Sequence, residues 1–263
     1  MTSTRKSIPV ELTRGEIEDG LRKLGLGPGD ATEVHSSLSR FGKVQGGPST
    51  VVDALMNVVG EQGTLVMSAF QVSPPIPLTE TEKNKGIRWK VRLLKEDSKE
   101  KTGMGAIVEE FRTRFGVVCG TGIHRVCAWG HDAQQHSQGY QYLLDVDGWV
   151  LLLGVGIDRC SSLHLGERVP IPKEIEEYFR VPEYLRRDYP ADTWEIGYGG
   201  TPDDAWQKVQ QEADLRCLIK RHRIGCAECL LFKAKAVVTI YEALRRADPF
   251  GLFGVEKIES SEC

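Results

Sequence analysis

The chain has 263 residues, of which 40% are hydrophobic and 27% are charged, so it can bury a large core. Its 34 Lys and Arg residues nearly balance 37 Asp and Glu residues, and the net charge of -3 argues against nucleic acid as a main partner. The N-terminus shows no signal peptide, and no apolar stretch approaches the ~18 residues of a membrane span. The sequence predicts a cytoplasmic protein without membrane contact, folded as a single domain over residues 1–263.

The first part of the chain alternates between helical and strand-like patterns. Thr13 stands three residues before Glu16, as in a capping box, which indicates the start of a helix. The predicted elements are a helix over residues 9–26, a strand over 33–35, a turn at 46–48, a helix from Ser49 or Thr50 to Val59, and a strand over 63–70. This order predicts an α/β sheet with helices packed on it.

The rest of the chain begins with its least regular stretch. Residues 71–101 are rich in proline and charge, which predicts a long loop. The predicted elements after it are a helix over 105–114, a strand over 149–155, a loop that becomes a helix over 156–167, a helix over 202–218, a strand over 226–238 and a helix over 237–247.

Charge is distributed unevenly along the chain. Residues 83–114 contain ten bases and five acids, whereas residues 172–214 contain five bases and eleven acids. Such clusters are as often solvated faces as binding sites. If both regions lined one cleft, they would suit a polyanion on one side and a polycation on the other.

Two short patterns could carry chemistry. The segment His35–Leu38, followed by Gly46 and Gly47, exposes backbone N–H groups that can bind an anionic or amide-rich ligand, although a plain turn is the simpler interpretation. In the second, His164 and Glu167 would share a helix face after a strong strand, and a carboxylate beside an imidazole makes a general base. On the spacing alone, a solvated surface pair is the simpler interpretation.

Cysteine and histidine spacings favour no metal site. Cys226 and Cys229 form one C-x-x-C, but no second pair completes four zinc ligands. His124, His131 and His136 match no familiar metal motif. Seven cysteines in a chain of this size predict reduced and mostly buried thiols.

The order of several motifs resembles the aminoglycoside 3-N-acetyltransferase family over about residues 9–250. The segments that carry the resemblance are VHSSLS at 34–39, FG at 41–42, GG at 46–47, TVVDAL at 50–55, GTLVM at 63–67 with Phe70, TGMGAI at 102–107, AWG at 128–130, LLLGVG at 151–156, SLHL at 162–165 with Glu167, and Gly225 with Ala227 and Glu228. The resemblance implies an α/β/α arrangement around a mixed sheet, distinct from the more widespread N-acetyltransferase fold, with a small acidic helical region over 172–214 on the substrate side.

The resemblance also implies acetyl-CoA as co-substrate, a small cationic aminosugar as substrate, and no metal. His164 would be the general base, oriented by Glu167 or Asp158. The residues implied for the cofactor are His35, Ser36, Ser37, Leu38, Gly46, Gly47, Phe70, Gly103, Met104, Gly105 and His124. The residues implied for the aminosugar are Glu174, Glu176, Asp203 and Asp204. The protein would be a monomer or a homodimer.

Two other interpretations remain open on the sequence. The chain could acetylate a different amine, or it could keep the scaffold as a catalytically idle CoA-binding protein. A nucleic-acid-binding module is a more distant alternative, because aromatic residues do not interleave with the basic run over 83–101 in the manner of a stacking platform.

Overall fold

A computed structural model describes residues 11–199 and 202–257 of the protein, without the side chains of residues 202 and 203. The helices are α1 (Arg14–Leu24), α2 (Pro48–Val59), α3 (Glu80–Asn84), α4 (Ala106–Phe111), α5 (Ala133–His136), α6 (Gln141–Asp145), α7 (Lys173–Phe179), α8 (Glu183–Asp188), α9 (Pro202–Leu215), α10 (Ala234–Ala247) and α11 (Pro249–Phe253). The strands are β1 (Ala31–Ser36), β2 (Thr64–Ser68), β3 (Ile87–Arg92), β4 (Val118–Cys119), β5 (Val126–Gly130), β6 (Trp149–Leu153), β7 (Trp194–Tyr198), β8 (Lys220–Ile224) and β9 (Ala227–Lys233).

The described strands form one large mixed sheet and one small sheet. The large sheet has the order β4-β5-β2-β1-β6-β9-β8, and β3 pairs antiparallel with β7 in the small sheet. Strand β1 lies at the centre of the large sheet and runs parallel to both β2 and β6. The outer strands β5 and β9 run antiparallel to their inner neighbours.

Two hydrophobic layers cover the two faces of the large sheet. One layer packs α1, α2 and α4 against side chains such as Val34 and Leu151. The other packs α6, α9 and α10 against Val150, Leu152 and Phe232. Because neighbouring strand residues point to opposite faces, the almost continuous apolar run of β6 supplies both cores. The predicted α/β/α arrangement with a central mixed sheet is confirmed.

Most predicted elements are present with shifted ends. The capping box of Thr13 and Glu16 is formed, and α1 ends at Gly25 in the left-handed conformation. Helix α2 is capped by Gly47 rather than by Ser49 or Thr50, and Pro48 occupies its first turn. The strand predicted to extend to residue 238 ends at Lys233, because α10 begins directly after it.

Two sequence-based predictions are wrong. Residues 71–101 are not one long loop, because they contain α3 and β3. Residues 157–168 form two short 3-10 helices, Ile157–Arg159 and Ser161–Arg168, in place of a loop that turns into an α-helix.

The basic and acidic regions meet directly rather than across a cleft. Strand β3 of the basic region pairs with β7 of the acidic region, and Lys85 Nζ lies 3.2 Å from Asp188 Oδ2 beside them. The buried Lys90 contacts Glu82, and the resulting ion pair and hydrogen bonds lower the pKa of Glu82 to about 2. The Lys85–Asp188 pair therefore joins the two regions, whereas Lys90 pairs with α3 of its own segment. In the described part of the chain, every helix is too short or too polar to cross a membrane.

Candidate active site

The topology places a crevice at the carboxyl ends of β1 and β6. The chain leaves β1 towards α2 on one face of the sheet, whereas it leaves β6 towards the 3-10 helices on the other face. Open α/β sheets bind ligands at such a switch point. A cavity of about 680 Å³ lies there. Its walls include Ser37 and Arg40 after β1, Gly154, Gly156, Asp158 and Arg159 after β6, Gln207 and Gln210 of α9, and Arg221, Arg223 and Glu228 of the β8–β9 hairpin.

The 3-10 helix Ser161–Arg168 carries a histidine–glutamate pair. Nδ1 of His164 lies 3.0 Å from Oε1 of Glu167, and 58% of the histidine side chain is exposed. The indole of Trp206 in α9 stands edge-on to the imidazole, with ring centroids 4.8 Å apart. The bond to Glu167 fixes one ring nitrogen, and Nε2, which has no hydrogen-bond partner among the described residues, can accept a proton.

Charge around the imidazole strengthens it as a base. Burial is the largest single influence and by itself would lower the pKa of His164. The hydrogen bond and charge of Glu167 outweigh it, and the charges of Glu33 and Glu195 act in the same direction. The pKa of His164 is therefore raised above the ordinary value of an imidazole.

Helix α10 holds this 3-10 helix in place. The buried guanidinium of Arg245 donates to the backbone oxygen of Val169 at 2.8 Å and to that of Glu167 at 3.3 Å. Gly166 packs so closely on the ring of Tyr241 that a Cβ atom there would lie 2.6 Å from it. A larger residue at position 166 would push the histidine–glutamate pair away from α10.

A second histidine–glutamate pair lies on β1, in contact with the start of the 3-10 helix that carries the first pair. Oε1 of the fully buried Glu33 is 2.6 Å from Nε2 of His35 and accepts the backbone N–H of Ser162 at 3.1 Å. The other carboxylate oxygen of Glu33 has no partner among the described residues. Sequence analysis placed Glu33 only in a strand. The sequence signal that could have found this pair is the alternation of side chains along β1, which points Glu33 and His35 to the same face of the sheet.

Three hydroxyl groups connect the 3-10 helix beside Glu33 and His35 to β2. Ser68 Oγ lies 2.9 Å from Ser161 Oγ and also contacts the phenol of Tyr140. Burial, then the charge of Glu33, raises the pKa of Tyr140 and keeps the phenol neutral. The same two causes raise the pKa of the buried Cys160 thiol, which therefore has little thiolate character.

The predicted cofactor residues gather at the same end of the sheet. Ser36 is the last residue of β1, Ser37 and Leu38 follow it directly, and Gly47 and Gly105 cap the packed helices α2 and α4. Among the remaining ones, Gly46 precedes Gly47, Gly103 and Met104 precede Gly105, and Phe70 follows β2. Gly103 has no room for a side chain, because a Cβ atom would lie 2.7 Å from the backbone oxygen of Ser73.

His124 lies at the tip of the β4–β5 hairpin and faces the second sheet. Its Nε2 is 3.1 Å from Oε2 of Glu195, and its ring stands edge-on to Phe70 at 5.0 Å. Glu195 also acts on His164, so sequence analysis missed an acidic residue of the site here. His131 and His136 lie at the opposite end of β5, beside a separate smaller cavity.

A disulfide between Cys119 and Cys127 closes this hairpin. The prediction that all seven thiols are reduced is therefore wrong for this pair. The two cysteines face each other directly across β4 and β5, a proximity that only strand pairing creates. Cys229 is buried in the core and Cys226 is exposed, so they do not act together as a metal-binding pair.

The predicted substrate residues whose side chains the structure describes are not among those that line the crevice. Glu174 and Glu176 lie exposed on α7, and Asp204 is exposed on α9. The side chain of Asp203 lies outside the described part of the structure. Asp158 lines the crevice, but its carboxylate pairs with Arg159 at 3.0 Å and not with His164.

Comparison with known proteins gives the family. The model of the aminoglycoside 3-N-acetyltransferase family matches residues 34–245. The chain belongs to this family. The aminoglycoside N(3)-acetyltransferase VIII of Streptomyces fradiae is 31% identical, and the alignment covers 95% of this chain and 92% of that relative. The aminoglycoside 3-N-acetyltransferases are acyltransferases, so this protein is a member of an enzyme family.

Solved structures agree on the fold. A histidine-to-alanine variant of the aminoglycoside acetyltransferase AAC(3)-IVa in complex with a gentamicin has a TM-score of 0.70 and 20% identity, covering 95% of this chain and 96% of that one. AAC-IIIb as a binary complex with CoASH has a TM-score of 0.66 and 23% identity, covering 94% and 100%. The architecture is that of the aminoglycoside 3-N-acetyltransferases and differs from the more widespread N-acetyltransferase fold.

Proposed function

We propose that the protein acetylates the 3-amino group on the 2-deoxystreptamine ring of aminoglycosides, with acetyl-CoA as the acetyl donor. Family membership supports the acyl transfer, and the hydrogen-bonded pair of His164 and Glu167, on the 3-10 helix that follows β6, is the observation that carries the mechanism. Solved relatives with CoASH and with a gentamicin support the two ligands.

His164 acts as the general base. Glu167 holds Nδ1, so Nε2 takes a proton from the ammonium group of the acceptor. The free amine nitrogen then attacks the carbonyl carbon of the thioester and forms a C–N bond, while the C–S bond breaks and the CoA thiolate leaves with a proton. Transfer is direct, so no cysteine has to form an acyl-enzyme. The buried thiol of Cys160, whose pKa is raised, is consistent with this route.

Negative charge around the base prepares the site for a cation. Glu33, Glu167 and Glu195 all act on His164, and the same field attracts an ammonium group. Glu174, Glu176, Asp203 and Asp204 remain the proposed outer contacts of a polycationic sugar.

Acetyl-CoA would approach from the α2 side of β1. The proposed contacts are His35, Ser36, Ser37 and Leu38 with Gly46 and Gly47, and Phe70, Gly103, Met104, Gly105 and His124 would lie farther along the same cofactor. Glycine at positions 46 and 47, both at positive φ, brings backbone close to a ligand where a larger residue would be strained.

The test is release of the CoA thiol from acetyl-CoA with kanamycin-type, gentamicin-type and apramycin-type acceptors side by side. Acetylation of the 3-amino group, located by NMR of the product, would support the proposal. Acetylation of unrelated amines only would indicate a different acceptor. Binding of acetyl-CoA without turnover on any amine would indicate a catalytically idle member of the family.

A further inference from the structure

The fold leaves the indole of Trp89 partly exposed on the small sheet. Trp89 lies on β3 directly opposite Gly197 of β7 and is 38% exposed, although tryptophan is a residue that a fold usually buries. We infer that this indole binds one ring of a polycationic amino sugar, an inference that rests on the proposed acetyl transfer to such an acceptor.

The indole lies across the small sheet, over the backbone of Gly197. A Cβ atom on Gly197 would be 2.3 Å from Nε1 and 2.6 Å from Cδ1 of the indole, so a side chain at this position would displace the ring. One face of the indole is therefore covered by the backbone of β7. The exposed area belongs to the rest of the ring, which offers a flat apolar surface to a ligand.

Trp89 shares its face of the small sheet with a carboxylate. Glu195 is two residues from Gly197 on β7 and lies opposite Val91, which is two residues from Trp89 on β3. Side chains alternate along a strand, so all of these positions are on one face, and the two side chains leave the sheet about 7 Å apart along the strand direction. Ile196, between them on β7, points to the other face and packs against α8.

The face that carries Trp89 is turned towards the proposed base. The carboxylate of Glu195 lies 3.1 Å from Nε2 of His124, and its charge also acts on His164. From the end of β7 the chain leads into α9, where Trp206 stands edge-on to His164. The indole of Trp89 therefore lies beside the stretch of β7 that connects Glu195 to α9.

The charges around the indole favour the cationic acceptor over acetyl-CoA. The carboxylate of Glu195 repels the phosphates of CoA and attracts an ammonium group. Tryptophan is also the side chain whose ring face binds cations best. The neighbouring arginines are engaged elsewhere, because Arg88 donates to a backbone oxygen after β7 at 3.0 Å and Arg92 pairs with Glu100 at 2.7 Å.

An acceptor that reaches both Trp89 and His164 has more than one ring. The aromatic ring that contacts His164 among the described residues is that of Trp206 on α9, whereas Trp89 belongs to the small sheet. Trp89 therefore holds a ring other than the one whose amine is acetylated. Its contribution should appear with a multi-ring acceptor and be absent with the isolated 2-deoxystreptamine ring.

Kinetics of Trp89→Leu test this inference, because leucine still covers Gly197 but lacks the aromatic face. KM for kanamycin should rise about 5–30-fold, with kcat within about twofold of wild type. For 2-deoxystreptamine, kcat/KM should change less than about twofold. Trp89→Phe should give an intermediate KM, and Phe115→Leu, a fully exposed aromatic residue, is the control. An equal loss with both acceptors, or none with kanamycin, would overturn the inference.

Calorimetry separates the inference from the proposed function and from folding. An aromatic ring over glycine also stabilises a strand pair, and unchanged affinity for acetyl-CoA would show that Trp89→Leu is folded. Weaker binding of acetyl-CoA in place of kanamycin would assign the indole to the cofactor and overturn the inference. If the variant binds kanamycin more weakly but neither protein acetylates it, the aromatic contact stands and the proposed function has failed. If kanamycin is acetylated and binds both proteins equally, only the inference has failed.

Discussion

Nε2 of His35 lies 2.6 Å from Oε1 of Glu33, whose carboxylate is completely buried between β1 and the 3-10 helix that carries His164. A buried carboxylate is stable only when a partner offsets the cost of removing it from water. The backbone N–H of Ser162 supplies a second contact to the same oxygen. Glu33 therefore links the start of the 3-10 helix that carries His164 to the central strand.

Removal of the His35 imidazole should destabilise the fold. His35→Ala leaves Glu33 buried without this hydrogen-bond partner, and an unsatisfied buried polar group costs about 1–3 kcal/mol in the free energy of unfolding. Urea denaturation measures the change. His222→Ala on the edge strand β8 is the matched control, with an expected cost within about 0.5 kcal/mol. Equal stability of the two variants would show that the pair contributes nothing.

Loss of the proposed base should slow the reaction without preventing cofactor binding. His164→Ala removes the proton acceptor, so kcat should fall about 10²–10⁴-fold. Calorimetry should show acetyl-CoA binding within about threefold of wild type. His131→Ala, an exposed histidine at the other end of the sheet, should keep full activity. Near-complete turnover by His164→Ala would refute the assignment.

The pH dependence of kcat/KM should show the effect of Glu167 on the pKa of His164. Since the pKa of His164 is raised, kcat/KM should increase with pH along a limb whose apparent pKa lies above 6.5. Glu167→Gln removes the hydrogen-bonded charge, and burial then dominates, so the limb should move to lower pH. Glu195→Gln should move it in the same direction by a smaller amount. An unchanged limb in Glu167→Gln would show that this carboxylate does not raise the pKa of the catalytic group.

The disulfide should be detectable and should stabilise the hairpin that carries His124. Under non-reducing, denaturing conditions, thiol titration should find five free thiols, because two of the seven cysteines are joined. Cys119→Ser should lower the free energy of unfolding by about 2–3 kcal/mol for so short a loop, and only when the wild type is oxidised. Seven free thiols in the purified protein would contradict the pairing.

Sequence patterns predicted the large sheet well where its strands are apolar. Residues 149–155 form a run of apolar side chains that only a strand covered on both faces can bury, and β6 is such a strand. The small sheet was missed, because β3 carries Arg88, Lys90 and Arg92 and resembles a charged loop. Its identity as a strand depends on pairing with β7, about a hundred residues away.

The sequence alone determined the family, the α/β/α class and the spacing of His164 and Glu167, because these depend on local order and on apolar periodicity. Only the tertiary structure decided that Glu33 and Glu195 act on that histidine, that Cys119 reaches Cys127, and that four arginines share one crevice. Each of these relationships joins residues on different strands or helices. Strand register and helix packing bring such residues together, and spacing along the chain does not encode either one.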